Sequence, residues 1–100
     1  MDSDYKYLLE KYPDRCPIIV NKKNSIKMSK YKFLVPRSFT MGELLYYLRK
    51  RADNLNNSEA LFMFIGNNII SNTLNLNQVY EDNKINGILY ITIVRENVFG

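Results

Sequence analysis

Few residues in this 100-residue chain have the type and spacing to do chemistry. The chain closes on Arg95-Glu96-Asn97-Val98-Phe99-Gly100, a short polar tail after the apolar run "GILYITIV". Glycine has no side chain and can thread where any other residue would clash. Gly100 is therefore either a reactive handle or an incidental chain end. Cys16 stands between Arg15 and Pro17, and a neighbouring cation lowers a thiol pKa. The plainer reading is a small apolar residue packed in a strand. Histidine is absent, which removes His-ligated metal sites and His-dependent triads. No carboxylate pair is placed for acid–base work. The residues imply a protein that is not an enzyme and holds no metal or cofactor.

Composition sets the class. The apolar fraction is 46%, and no run approaches a membrane span. The opening "MDSDYKYLLEKY" is acidic and lacks the apolar stretch of a signal peptide. One cysteine cannot form an internal disulfide, which favours a reducing, cytoplasmic setting. Fourteen basic against ten acidic residues give +4, read first as a solvated basic surface. The thirteen asparagines gather where turns are expected.

The elements that must position these residues follow from periodicity. Tyr5, Leu8, Leu9 and Tyr12 fall at helical spacing, so residues 4–11 form a short amphipathic helix with Ser3 as its cap, ended by Pro13. "CPIIVN" is a strand. "YKFLVP" is another, with Phe33 and Val35 on one face and Lys32 and Leu34 on the other. Thr40 and Glu43 have capping-box spacing ahead of a long helix whose stripe is Met41, Leu44, Leu45, Leu48 and Ala52. A strand in "EALFMFIGNN", a brief helical turn in "LNQVYEDNK" and a last strand in "ILYITIV" complete the chain. Residues 1–100 thus form one domain, with residues 1–11 as an N-terminal helical extension and 95–100 as a flexible tail. The order predicts an α+β, β-grasp architecture: a four-stranded mixed sheet, a long packed helix, a short second helix and one short N-terminal helix. The first and last strands, both rich in Ile and Val, should pair at its centre.

Three segments, "KYPDRCPIIV", "KYKFLVP" with "LRKRA", and "YEDNKINGILYITIVRENVFG", closely resemble the autophagy ubiquitin-like modifiers, the family of GABARAP and microtubule-associated protein light chain three. The resemblance runs from about Leu8 to Gly100. It implies a ubiquitin-like fold and a terminal glycine activated with ATP, passed through thioesters and joined to phosphatidylethanolamine. That carboxylate must enter a tight channel and be attacked from either face, where a β-carbon would obstruct. Phe99 resembles the aromatic read by the family's processing cysteine protease and activating enzyme. The implied partners are activating and conjugating enzymes, peptide motifs in cargo receptors and adaptors, and a membrane through the lipid anchor. The expected chain is a monomer, cytoplasmic until lipidation places it on the autophagosome.

The family also captures aromatic-x-x-aliphatic peptides as an added strand. Carried over residue by residue, the aromatic pocket involves Asp4, Leu8, Pro17, Ile19, Lys32, Leu34 and Ile88. The aliphatic pocket involves Phe33, Val35, Pro36, Phe39, Leu44 and Tyr47, while Arg15, Lys30, Lys32 and Arg51 meet acidic flanks. Periodicity alone leaves core packing as the alternative for Leu34, Val35 and Leu44. Departures from the pattern are the ten residues before Lys11, where members generally carry two helices, a shorter "NKKNSIKMSK" turn, Ile70-Ser71 in place of a Pro-Pro pair, and Ile88 for the usual aromatic. Other readings are an unconjugated peptide-binding or trafficking adaptor and a modifier joined to a protein. A nucleic-acid domain is disfavoured, because the basic stretches 22–32 and 49–51 lack an RNA-binding aromatic motif.

Overall fold

The computed structural model describes residues 2–23, 26–56 and 58–96. Its elements run α1 (Asp2–Lys11), β1 (Arg15–Lys22), β2 (Lys32–Pro36), α2 (Met41–Arg51), β3 (Leu61–Ile65), β4 (Asn68–Ile69), α3 (Leu76–Asn83) and β5 (Leu89–Arg95). Helix α1 begins earlier than periodicity suggests, so Ser3 lies inside it and is not its cap. Arg95, first residue of the expected tail, is the last residue of β5. Phe99 and Gly100 lie outside the described residues.

The sheet has five strands, ordered β2-β1-β5-β3-β4, not the four expected. The additional strand is β4, two residues folded back on β3 through Gly66, whose φ is 60°. Two residues leave no periodic pattern to read. As expected, β1 and β5 pair in parallel at the centre, Ile18 beside Leu89 and Val20 beside Ile91. The other pairings are antiparallel.

One face of the sheet carries the main core. Ile18, Val20, Phe33, Val35, Leu61, Met63, Leu89, Ile91 and Ile93 meet Met41, Leu44 and Leu48 of α2 and Leu76, Val79 and Tyr80 of α3. Burying each large apolar side chain contributes about 1.5–3 kcal/mol. The capping box is present at the start of α2: the Glu43 amide donates to Thr40 Oγ1 at 3.1 Å, and the Thr40 amide to Glu43 Oε1 at 2.8 Å.

The opposite face is covered by α1, which packs on β1. Pro17 and Ile88 are buried there, apart from the main cluster. Gly87, at φ 83°, fixes the fit: a β-carbon there would come within 3.0 Å of Leu9 Cδ1. Tyr80, buried in α3, donates its hydroxyl to the Gly87 carbonyl at 2.6 Å and holds the same turn from the other side.

Candidate peptide-binding site

Strand β2 is an edge strand. Val20 N donates to the Tyr31 carbonyl at 2.9 Å, within a register that pairs Ile18 with Phe33 and Cys16 with Val35. Alternation in an antiparallel pair then turns the backbone groups of Phe33 and Val35 toward β1 and those of Lys32 and Leu34 outward. An outward row of donors and acceptors is a template for one more strand.

The side chains around this edge fall into two groups. Toward α1, Leu34 is half-buried and pairs with buried Pro17, while exposed Lys32 pairs with half-buried Ile19. Ile88 is buried and Leu8 half-buried on this side. Asp4 belongs to α1, but its side chain lies outside the described residues. Toward α2, Phe33, Val35 and Leu44 are buried within the core, so they form a floor. Pro36, Phe39 and Tyr47 are half-buried and reach the surface. The Tyr47 ring meets Phe33 and Phe39 edge-on, with centroids 5.8 and 6.2 Å apart.

The Arg51 guanidinium stacks 3.5 Å above the Tyr47 ring, and its Nη1 donates to the Tyr47 carbonyl at 3.2 Å. Such stacking fixes the cation and leaves it charged. Lys30 sits 5.8 Å from the Phe33 ring and Lys32 5.6 Å from that of Tyr31. Arg15 lies apart from these three, at the other end of the β1–β2 pair beside Pro36. A groove of about 520 Å³ continues along α2, lined by Phe39, Gly42, Tyr46, Tyr47, Lys50 and Arg51 among others. Gly42, Tyr46 and Lys50 are absent from the sequence reading, although their i, i+4, i+8 spacing puts them on one helix face.

Cys16 is fully buried, and burial pushes its thiol up to about 11, outweighing the nearby Arg37. It is packing, not chemistry. Among the described residues no group of three or more His, Cys, Asp or Glu could hold a metal ion, and no helix is long and apolar enough to cross a membrane.

The family model for the Atg8 autophagy protein, described as ubiquitin-like, matches residues 2–100. The chain belongs to the Atg8 family. Autophagy-related protein 8e of Arabidopsis thaliana is 39% identical over 111 residues, covering 100% of this chain and 90% of that protein. Autophagy-related protein 8 of Schizosaccharomyces pombe is 40% identical over 95 residues, covering 91% and 78%. Among solved structures, Trypanosoma brucei ATG8 superposes with a TM-score of 0.90 at 33% identity, covering 99% of this chain and 88% of that one. Plasmodium falciparum Atg8, solved with a peptide of Plasmodium falciparum Atg3, matches with a TM-score of 0.78 at 25% identity, covering 92% and 85%. The ubiquitin-like fold and the autophagy modifier family read from the sequence are those of an Atg8 protein.

Proposed function

We propose that this Atg8-family modifier is conjugated through Gly100 to phosphatidylethanolamine and recruits partners that carry aromatic-x-x-aliphatic motifs. It is a modifier and adaptor, not a catalyst. The observation that carries the recruiting role is the open β2 edge, with an apolar site toward α1 on one side and the Phe39–Tyr47 surface on the other. An added strand points alternate side chains to opposite faces, so an aromatic and an aliphatic three positions apart face opposite ways, one toward the α1 side and the other toward the α2 side. Backbone bonds contribute about 1 kcal/mol each, and each buried anchor about 1.5–3 kcal/mol. Less the ordering of the peptide, the total falls in the micromolar range, about −8 kcal/mol.

The peptide held by the Plasmodium relative comes from Atg3, which supports binding to a conjugating enzyme. In this reading the protein is cytoplasmic when free and sits on the autophagosomal membrane once lipidated. Incubation with activating and conjugating enzymes, ATP and phosphatidylethanolamine liposomes should yield a lipidated form, and Gly100→Ala should abolish it. A variant lipidated as well as its parent overturns the conjugation role. Calorimetry with acidic-flanked peptides differing only in Trp, Phe or Tyr tests the edge separately. Leu34→Ala should weaken all three, and unchanged affinities mean the peptide site is elsewhere.

A further inference from the structure

The charges of this protein are not spread evenly. Strand β1 ends in Lys22 and continues to Lys23, whose amide donates to the Ile93 carbonyl of β5 at 3.1 Å. The following segment is tied to the C-terminal end of α2: Met28 bridges Ala52, the Asp53 amide donates to the Lys27 carbonyl at 2.7 Å, and the Lys27 amide to Asn54 Oδ1 at 2.9 Å. Buried Ile26 and Met28 pin it there. The last turn of α2 supplies Arg49, Lys50 and Arg51. Three separate elements thus bring six cations to one end of the molecule, and none of the six forms an ion pair among the described residues.

The carboxylates of this end are few. Glu59 is taken up by Arg95, whose Nε donates to its Oε2 at 2.8 Å. That leaves Asp53 and Glu96 against the six. With the Arg95–Glu59 pair, which lies here too, these groups number seven cations and three carboxylates. These groups therefore carry an excess of four positive charges, and Lys30 and Lys32, before and at the start of β2, lie at the same end of the β1–β2 pair. A field concentrated in this way orients a molecule toward a negative surface.

We infer that this end is a docking face for anionic lipid, formed by Lys22, Lys23, Lys27 and the last turn of α2. The cations sit on the ends of a strand, a connection and a helix, which makes an end face, with Lys50 and Arg51 also bordering the groove along α2. A face of that kind suits a surface better than a single strand or a peptide. The preference for a membrane over another polyanion rests on the conjugation reading. Arg95 ends β5 on this same side, and five residues extend at most about 18 Å, so a lipid joined at Gly100 keeps this end at the bilayer. Lysines and arginines held near an anionic leaflet add attraction that fades within a Debye length. The face therefore collects the unconjugated protein at anionic membranes and sets its orientation after conjugation.

The test uses the full, unconjugated chain and co-sedimentation with phosphatidylcholine vesicles, with or without about 30% phosphatidylserine. Binding is expected only with the anionic lipid, and should fall at least tenfold, roughly, between about 50 and 300 mM salt. Lys22→Glu, Lys23→Glu and Lys27→Glu together should lower it by about tenfold or more. Lys6→Glu, Lys11→Glu and Lys84→Glu, the same change in net charge elsewhere, should lower it far less. Thermal unfolding verifies that both triples fold, and a Lys→Gln version of the first replaces it if it does not. Equal binding to neutral vesicles, or equal loss in both triples, overturns the proposal. So does displacement by a short RNA duplex that binds more tightly than the vesicles, which would assign the face to nucleic acid. Gly100→Ala should bind vesicles like its parent, so failure here leaves the conjugation reading standing, and failure of lipidation leaves this one standing.

Discussion

Lys32 and Leu34 point the same way from one strand, yet they should act on different steps of peptide capture. Lys32 is exposed and Leu34 half-buried. Lys32→Glu reverses a local attraction for an acidic flank, so it should mainly slow association, and the effect should shrink with salt. Leu34→Ala removes apolar contact, so it should speed dissociation at every salt concentration. Stopped-flow binding at two ionic strengths separates them. Equal salt dependence in both variants would place the peptide's acidic flank away from Lys32. The alternation that put both residues on one face was visible in "YKFLVP", because one face of the strand is buried. What stayed hidden was the depth of Phe33, Val35 and Leu44. Periodicity marks a face as apolar, but how far a neighbouring helix closes over it depends on packing between distant elements.

At the scale of elements, local signals carried α2 and missed β4. Thr40 and Glu43 announce the helix start because both bonds of the capping box lie within four residues. Thr40→Ala should lower stability by about 1 kcal/mol in urea denaturation, with no change in the fold. The two-residue β4 has no such signature and forms because the turn at Gly66 returns the chain to β3. Ion pairs between elements were equally illegible. Arg95 of β5 holds Glu59 and Arg37 holds Glu81, which also takes Lys84 three residues on at the end of its own helix. Both carboxyls lie below their ordinary 4.5: Glu59 chiefly through the hydrogen bonds from Arg95, Glu81 chiefly through that from Lys84 and then Arg37. A carboxyl depressed in the folded state adds stability that is complete above its unfolded value and is lost as pH falls through the folded one. Unfolding midpoints should therefore hold from pH 7 to about pH 5 and decline below. Glu59→Gln should make that decline shallower, and an identical slope would show that the Arg95 pair contributes nothing to acid sensitivity.

For the whole molecule, the β-grasp order was legible because each long element has its own period. The division of labour between the two sheet faces was not. Among the described residues the main cluster draws nothing from α1, while Pro17 and Ile88 lie buried apart from it on the other side. Removing residues 1–10 should therefore leave a cooperative fold with weaker peptide binding, measured by thermal unfolding and calorimetry. Unchanged affinity would mean that the α1 side of the β2 edge is not used, and loss of cooperative unfolding would mean that α1 is part of the core. The charge asymmetry, too, belongs to this scale, since Lys22, Lys27 and Arg49 become neighbours only when the hairpin connection docks on α2.

The central pairing of β1 with β5 also dictates when this protein can fold. Ile18 finds Leu89 only after nearly all of the chain between them has been made. A ribosome adding about 5–20 residues per second needs several seconds for that stretch. Throughout, the β1–β2 hairpin waits with Ile18 and Val20 uncovered and one flank of β1 unpaired. Pairings this distant in sequence are slow to form and open to aggregation meanwhile. The newborn chain thus passes through an interval in which the middle of the sheet still lacks its last strand.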